Sequence, residues 1–160
     1  MLKRLILPPL FLLFSHNIFA QEILVTQTQH ELRFIRDDQN NVVVDMKRKL
    51  MWQDDNHMSN LSYSWKKARD YCHYLDNNSY SDWYLPNIKE LKSIISYENY
   101  SPAYIQVFKK GEARYYWSST ETSFDRKRAW FVSFKSGSTN YDHKAKVFSV
   151  RCVRSMRGEE

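Results

Sequence analysis

Arg126, Lys127 and Arg128 stand consecutively; Tyr141, His143, Lys144 and Lys146 follow on the next polar stretch, with Lys135 flanking them between the two. Guanidinium forks match the paired oxygens of a carboxylate or sulfate, and ammonium groups act as point charges. Aromatic faces beside them can carry sugar rings or apolar side chains. These residues therefore form a candidate ligand-binding set for an anionic glycan or an acidic protein surface, provided the flanking strands pair and the two stretches converge. Without that pairing they are ordinary solvated loop charges.

The other chemistry-bearing residues point less far. Asp54, Asp55 and His57 form the tight acid-and-histidine grouping of the chain. It reads as a solvated loop with Asx-turn chemistry rather than as a metal site. Ser118, Ser119 and Thr120 have no marked histidine and acid companions, and His143 stands near no nucleophile motif. Their hydroxyls read as partners for backbone groups near a strand end. No catalytic residue, metal site or cofactor is expected.

These side chains need elements to position them. Val42 to Val44 and Leu50 to Gln53 are short apolar runs around a polar turn, which predicts a hairpin. Ser64 is placed to cap a helix whose stripe is Trp65, Ala68, Tyr71, Cys72 and Leu75, ended by Asn77 and Asn78. A second helix is predicted after Pro86, with Asn87 as N-cap and Glu90 completing a capping box, and with Ile88, Leu91, Ile94 and Ile95 buried. Beyond Tyr100 the pattern predicts strands at Tyr115 to Ser118, Ala129 to Phe134 and Val147 to Val153, the last two separated by a turn at Gly137. The stretches Glu121 to Arg128 and Ser138 to Lys146 read as basic, aromatic loops. Helices early and strands late predict an α+β domain.

Length and composition bound the possibilities. A chain of 160 residues, 42% hydrophobic and 16% aromatic, suffices for one domain with a real core. That excludes a multidomain enzyme and a disordered chain. The net charge of +6 is uneven: Gln21 to Ala103 carries 10 basic and 12 acidic residues, whereas Tyr104 to Arg154 carries 11 basic and 4 acidic. An excess of positive charge in the second half favours anionic partners by long-range attraction.

Residues 1–20 read as a secretory leader: Lys3 and Arg4, the apolar stretch Leu5 to Phe14, and Ala20 before the cut. The stretch is short of the roughly 20 residues that span a bilayer. No transmembrane segment is expected in the mature chain. Export predicts a periplasmic, cell-surface or secreted protein and leaves nucleic acid out as a partner. In an oxidising compartment Cys72 and Cys152 are best read as one disulfide closing a loop of about 80 residues, worth ~4.5 kcal/mol in the chain-entropy model. The boundaries are a leader at 1–20, a short N-terminal extension at 21–32, the domain at 33–154 and a tail at 155–160.

The ordered strings Leu50-Met51-Trp52-Gln53, Trp65 to Cys72, Tyr80-Ser81-Asp82-Trp83-Tyr84-Leu85-Pro86-Asn87-Ile88-Lys89-Glu90-Leu91, Tyr116-Trp117-Ser118-Ser119-Thr120, Ala129-Trp130-Phe131-Val132 and Val150-Arg151-Cys152-Val153-Arg154 resemble the Lcl C-terminal domain family. That family is named from the end of a bacterial collagen-like adhesin. The resemblance covers nearly all of the mature chain. It implies a C-type-lectin-like fold, related to that of formylglycine-generating enzymes, with a disulfide from the first helix to the last strand. It also implies an adhesin-like role, since known adhesins of the family bind sulfated glycosaminoglycans and the terminal domain is associated with trimers.

The departures from the pattern are informative. Lys49 stands where many members have Gly, so the hairpin turn must be built differently or under strain. No collagen-like stalk occurs in this sequence, so trimerisation is not expected. Leu85-Pro86-Asn87 and Trp117-Ser118-Ser119 lack most side-chain oxygens of the lectin calcium site. The reactive cysteine pair of formylglycine-generating enzymes is replaced by cysteines already assigned to a structural bridge. Trp52, Trp65, Trp83, Trp117 and Trp130 sit in the matching strings and are expected in the core. The sequence therefore predicts an exported, non-catalytic binding module. The alternatives are a structural subunit of a cell-envelope assembly and an enzyme of the formylglycine-generating type.

Overall fold

The computed structural model describes residues 33–56, 61–76, 80–109, 111, 112 and 114–156. The predicted leader, His57, Asn77 and Asn78 lie outside the described residues. Among those described, no helix is long and apolar enough to cross a membrane. From Phe34 onward the described residues form an α+β unit with two helices and two sheets.

The first sheet is four-stranded, in the order β1-β2-β3-β9. It contains β1 (Phe34–Asp37), β2 (Val42–Asp45), β3 (Leu50–Gln53) and β9 (Val153–Ser155). The predicted β2–β3 hairpin is present, with Asp45 opposite Leu50 and Val43 opposite Trp52. Its turn is held by buried Asp45, whose Oδ1 accepts from Arg48 N at 3.1 Å. Lys49 has φ +54°, the left-handed conformation that costs a side-chain-bearing residue about 1–2 kcal/mol and that Gly adopts freely. Its carbonyl is tied to Met156 N at 2.9 Å, which anchors the turn to the end of β9.

The second sheet runs β4-β8-β5-β6-β7. Its strands are β4 (Ser62–Ser64), β5 (Tyr115–Glu121), β6 (Arg128–Ser133), β7 (Ser138–His143) and β8 (Val147–Ser149). Neighbours are antiparallel except β5 and β8, which run parallel. Two expectations are corrected here. Ser138 to Lys146 is not a loop, because residues 138–143 form β7 and Gly137 turns β6 into it at φ +72°. Val147 to Val153 is not one strand either, for β8 belongs to the second sheet and β9 to the first.

Helix α1 (Trp65–His73) buries Trp65, Ala68 and Cys72 of the predicted stripe, while Tyr71 is half-buried and Leu75 lies half-buried beyond the helix end. Ser64 occupies its N-cap position but makes no side-chain capping bond; Trp65 N donates to Lys144 O at 3.0 Å instead. Helix α2 (Ile88–Lys92) has the predicted capping box, Asn87 accepting from Lys89 N and Glu90 N while Glu90 accepts from Asn87 N. It ends before Ile94 and Ile95, which are buried outside the helix, Ile95 bridging Tyr104.

The core forms two clusters, one around Trp52, Leu91, Tyr116 and Phe134 and one around Trp65, Trp83, Trp117 and Phe131. Burial of side chains this large is the main driving force for the fold, about 25 cal/mol per Å² of apolar surface. The predicted disulfide joins Cys72 on α1 to Cys152 beside β9, with Cα atoms 5.4 Å apart. It clips the C-terminal segment to the first helix.

Candidate binding surface

The connection between β5 and β6 is pinned from within. Buried Thr122 donates its hydroxyl to Asp125 O at 2.6 Å, and its amide reaches Arg128 O at 3.1 Å. Asp125 Oδ1 accepts from Lys127 N at 2.9 Å. With the backbone closed on itself, Phe124, Arg126, Lys127 and Arg128 are exposed.

Strand pairing then brings the second basic stretch alongside. Arg128 lies opposite His143 and Trp130 opposite Tyr141, and Lys144 N donates to Lys127 O at 2.9 Å. The turn into β8 is closed by Lys146 N to His143 O and by Ala145 N to His143 Nδ1, at 2.9 and 3.2 Å. Arg126, Lys127, Arg128, Tyr141, His143, Lys144 and Lys146 therefore share one end of the β6–β7 hairpin.

Lys135 does not belong with them. It sits in the turn at residues 134–137, at the opposite end of the paired strands, about 20 Å away at the usual rise per residue. Proximity in sequence placed it beside the others, and the length of the hairpin separates it.

Aromatic side chains missed in the sequence complete the surface. The Tyr141 ring packs edge-on against Phe124 and Trp130, with centroids 5.1 and 5.3 Å away, and the Arg128 guanidinium stands 5.8 Å from its centre. Trp130 is half-buried on this ladder rather than in the core; the other four tryptophans are buried as expected. Nearby, the Lys144 ammonium lies 3.9 Å over the Trp65 ring and the Arg69 guanidinium 4.9 Å over it. Lys144 also meets Glu121 Oε1 at 2.9 Å. That hydrogen bond above all, helped by the charges of Lys144, Arg126 and Arg69, holds the Glu121 carboxyl below its usual range. Arg69 thus shares the field of the hairpin end. It also lines a cleft of about 410 Å³ with Asp70, His73, Tyr84, Leu85 and Ser119. The four-residue step from Trp65 to Arg69 on a helix was the available sequence signal for that stacking.

The acidic grouping at Asp54 is a correction of a different kind. Asp54 is fully buried. Its carboxylate receives Arg151 Nη1 and Lys109 N, each at 2.8 Å, and Arg36 Nη1. Arg151 is itself buried, donates to Gln53 O at 2.8 Å and stands 4.6 Å from the Phe108 ring centre. Two guanidinium groups supply the hydrogen bonds that burial of a carboxylate demands, so the residue is an internal tie instead of a solvated loop. Asp55 accepts from Gln53 Nε2 at 2.7 Å. Among the described residues, no three His, Cys, Asp or Glu side chains are grouped to hold a metal ion.

The Ser118 and Thr120 hydroxyls serve the backbone. Ser118 Oγ donates to Trp130 O at 2.8 Å and accepts from Thr120 N at 3.3 Å, while Thr120 Oγ1 accepts from Ile88 N at 2.9 Å.

The family model of the Lcl C-terminal domain matches residues 41–154. No curated protein compared with the chain matches it.

Proposed function

We propose that this chain, which belongs to the Lcl C-terminal domain family, is an exported, non-catalytic binding module whose β6–β7 hairpin end recognises an anionic glycan or an acidic protein surface. The observation that carries the reading is the convergence of Arg126 to Arg128 with His143, Lys144 and Lys146 through the β6–β7 register and the Lys144–Lys127 bond. Cations of both kinds border the Phe124, Trp130 and Tyr141 ladder, a combination suited to charged groups carried on rings. A C-type-lectin-like fold is part of the same reading. The two short helices, the mostly antiparallel sheets and the bridge from α1 to the segment before β9 support it. The bridge supports the export reading as well, since a disulfide persists in an oxidising compartment.

The test is retention of the protein on immobilised heparin. Binding at low ionic strength with elution as salt rises is expected, because charge pairing at an exposed surface is screened over about 10 Å at 0.1 M. Combined Arg126→Glu and Lys127→Glu should abolish retention. Passage of the unaltered protein straight through at low salt sinks the proposal.

A further inference from the structure

A second cleft, of about 410 Å³, lies around the other end of the hairpin, lined by Arg114, Tyr115, Lys135, Val147, Phe148 and Ser149 among others. The strand ladder builds it. Tyr115 lies opposite Ser133, and Phe134 N donates to Arg114 O at 2.9 Å, which sets Arg114 beside the turn that carries Lys135.

One side of the cleft is aromatic. The Tyr115 ring packs against Phe131 and Phe148 with centroids 5.1 and 5.4 Å away, and those two are 4.8 Å from each other. Yet Tyr115 remains 51% and Val147 61% exposed, so an apolar face is left to water. The other side is cationic. Arg114 is partly engaged, its Nε meeting Glu112 Oε2 at 2.5 Å. Lys135 is exposed and has no carboxylate partner among the described residues.

Each half of this lining narrows the ligand. A purely apolar partner would strand the Lys135 charge, and a bare inorganic anion would leave the ring face uncovered. We propose that this cleft binds a ring-bearing carboxylate, its ring packing against Tyr115 and Phe148 and its carboxylate meeting Lys135. Its volume is within the range of about 300–1,000 Å³ usual for small-molecule sites. A uronic-acid sugar and an aromatic carboxylic acid share this chemistry. The inference does not rest on the reading of the basic hairpin end, which lies on a different part of the molecule.

The experiment is an amide-shift titration of the ¹⁵N-labelled protein with glucuronate and with phenylacetate, using glucose and 2-phenylethanol as neutral controls. Saturable shifts at Tyr115, Lys135 and Ser149 are expected from at least one acid: glucuronate alone identifies a sugar site, phenylacetate alone an aromatic-acid site. Lys135→Glu, a surface change that leaves the fold intact, should weaken binding about tenfold, and Tyr115→Ala similarly. Combined Arg126→Glu and Lys127→Glu should leave it unchanged, which separates this site from the heparin-binding surface. The inference is overturned if neither acid gives saturable shifts, if the neutral controls bind equally well, or if Lys135→Glu changes nothing.

Discussion

Arginine and aspartate meet in two regions of this protein with opposite consequences. At Asp54 the carboxylate is buried among Arg36, Arg151 and the Lys109 amide. At the hairpin end Arg128 and Asp125 also form an ion pair, 3.2 Å apart, but both side chains are more than a third exposed. The first pairing ties together residues far apart in sequence and its charges are spent on one another. The second is hydrated and leaves Arg126 and Lys127 exposed to solvent. The lesson is that charge content alone does not mark a binding surface; burial and prior pairing decide which charges can still act.

The largest effect should come from breaking the buried tie. Asp54→Ala removes the carboxylate shared by buried Arg151 and by Arg36, which among the described residues keeps only the exposed Asp38, and is expected to lower the unfolding free energy by about 3–5 kcal/mol in urea denaturation. A loss below about 1 kcal/mol would mean that the centre is solvated and that the contrast is false. The charge reversal at Arg126 and Lys127 should behave in the opposite manner, eliminating heparin retention while moving the unfolding free energy by no more than about 0.5 kcal/mol. A comparable loss of stability there would make the hairpin end structural.

The smallest effect is expected in acid. Asp82 is held below its usual range, chiefly by its hydrogen bond from Arg154, and Glu121 chiefly by Lys144. A carboxyl depressed in the folded state contributes stability that is complete above the unfolded value and disappears as pH falls through the folded one. Melting temperature should therefore decline below about pH 4, and Asp82→Asn should flatten that decline slightly, by under about 1 kcal/mol, because the pair is largely exposed on the Asp82 side. An identical decline in the variant would remove Asp82 from this account.

Much of the frame was legible before any coordinate. The β2–β3 hairpin showed in its apolar runs, the start of α2 in Asn87 and Glu90, and the bridge in the pairing of Cys72 with Cys152. Strand β7 was not legible, because Ser138–His143 is an edge strand with neither face deeply buried and so carries no apolar alternation. Its edge is closed locally instead, with Asn140 Oδ1 accepting from Tyr141 N at 2.8 Å and Asp142 Oδ1 from His143 N at 2.7 Å. That satisfies amides which would otherwise invite another strand. The break between β8 and β9 was also hidden, since Val150, Cys152 and Val153 are all buried and a run buried on both sides has no period to read.

The amino-acid order by itself determined what depends on neighbours along the chain: helix starts, a hairpin, the leader pattern, the basic bias of the second half and the family resemblance. Only the tertiary structure decided which charges are available. Arg36 and Arg151 reach Asp54 across 18 and 97 residues, and the β6–β7 register unites Arg128 with His143 while carrying Lys135 away to a different cleft. Coulomb attraction and desolvation depend on separation and burial in space, and a linear pattern holds neither quantity.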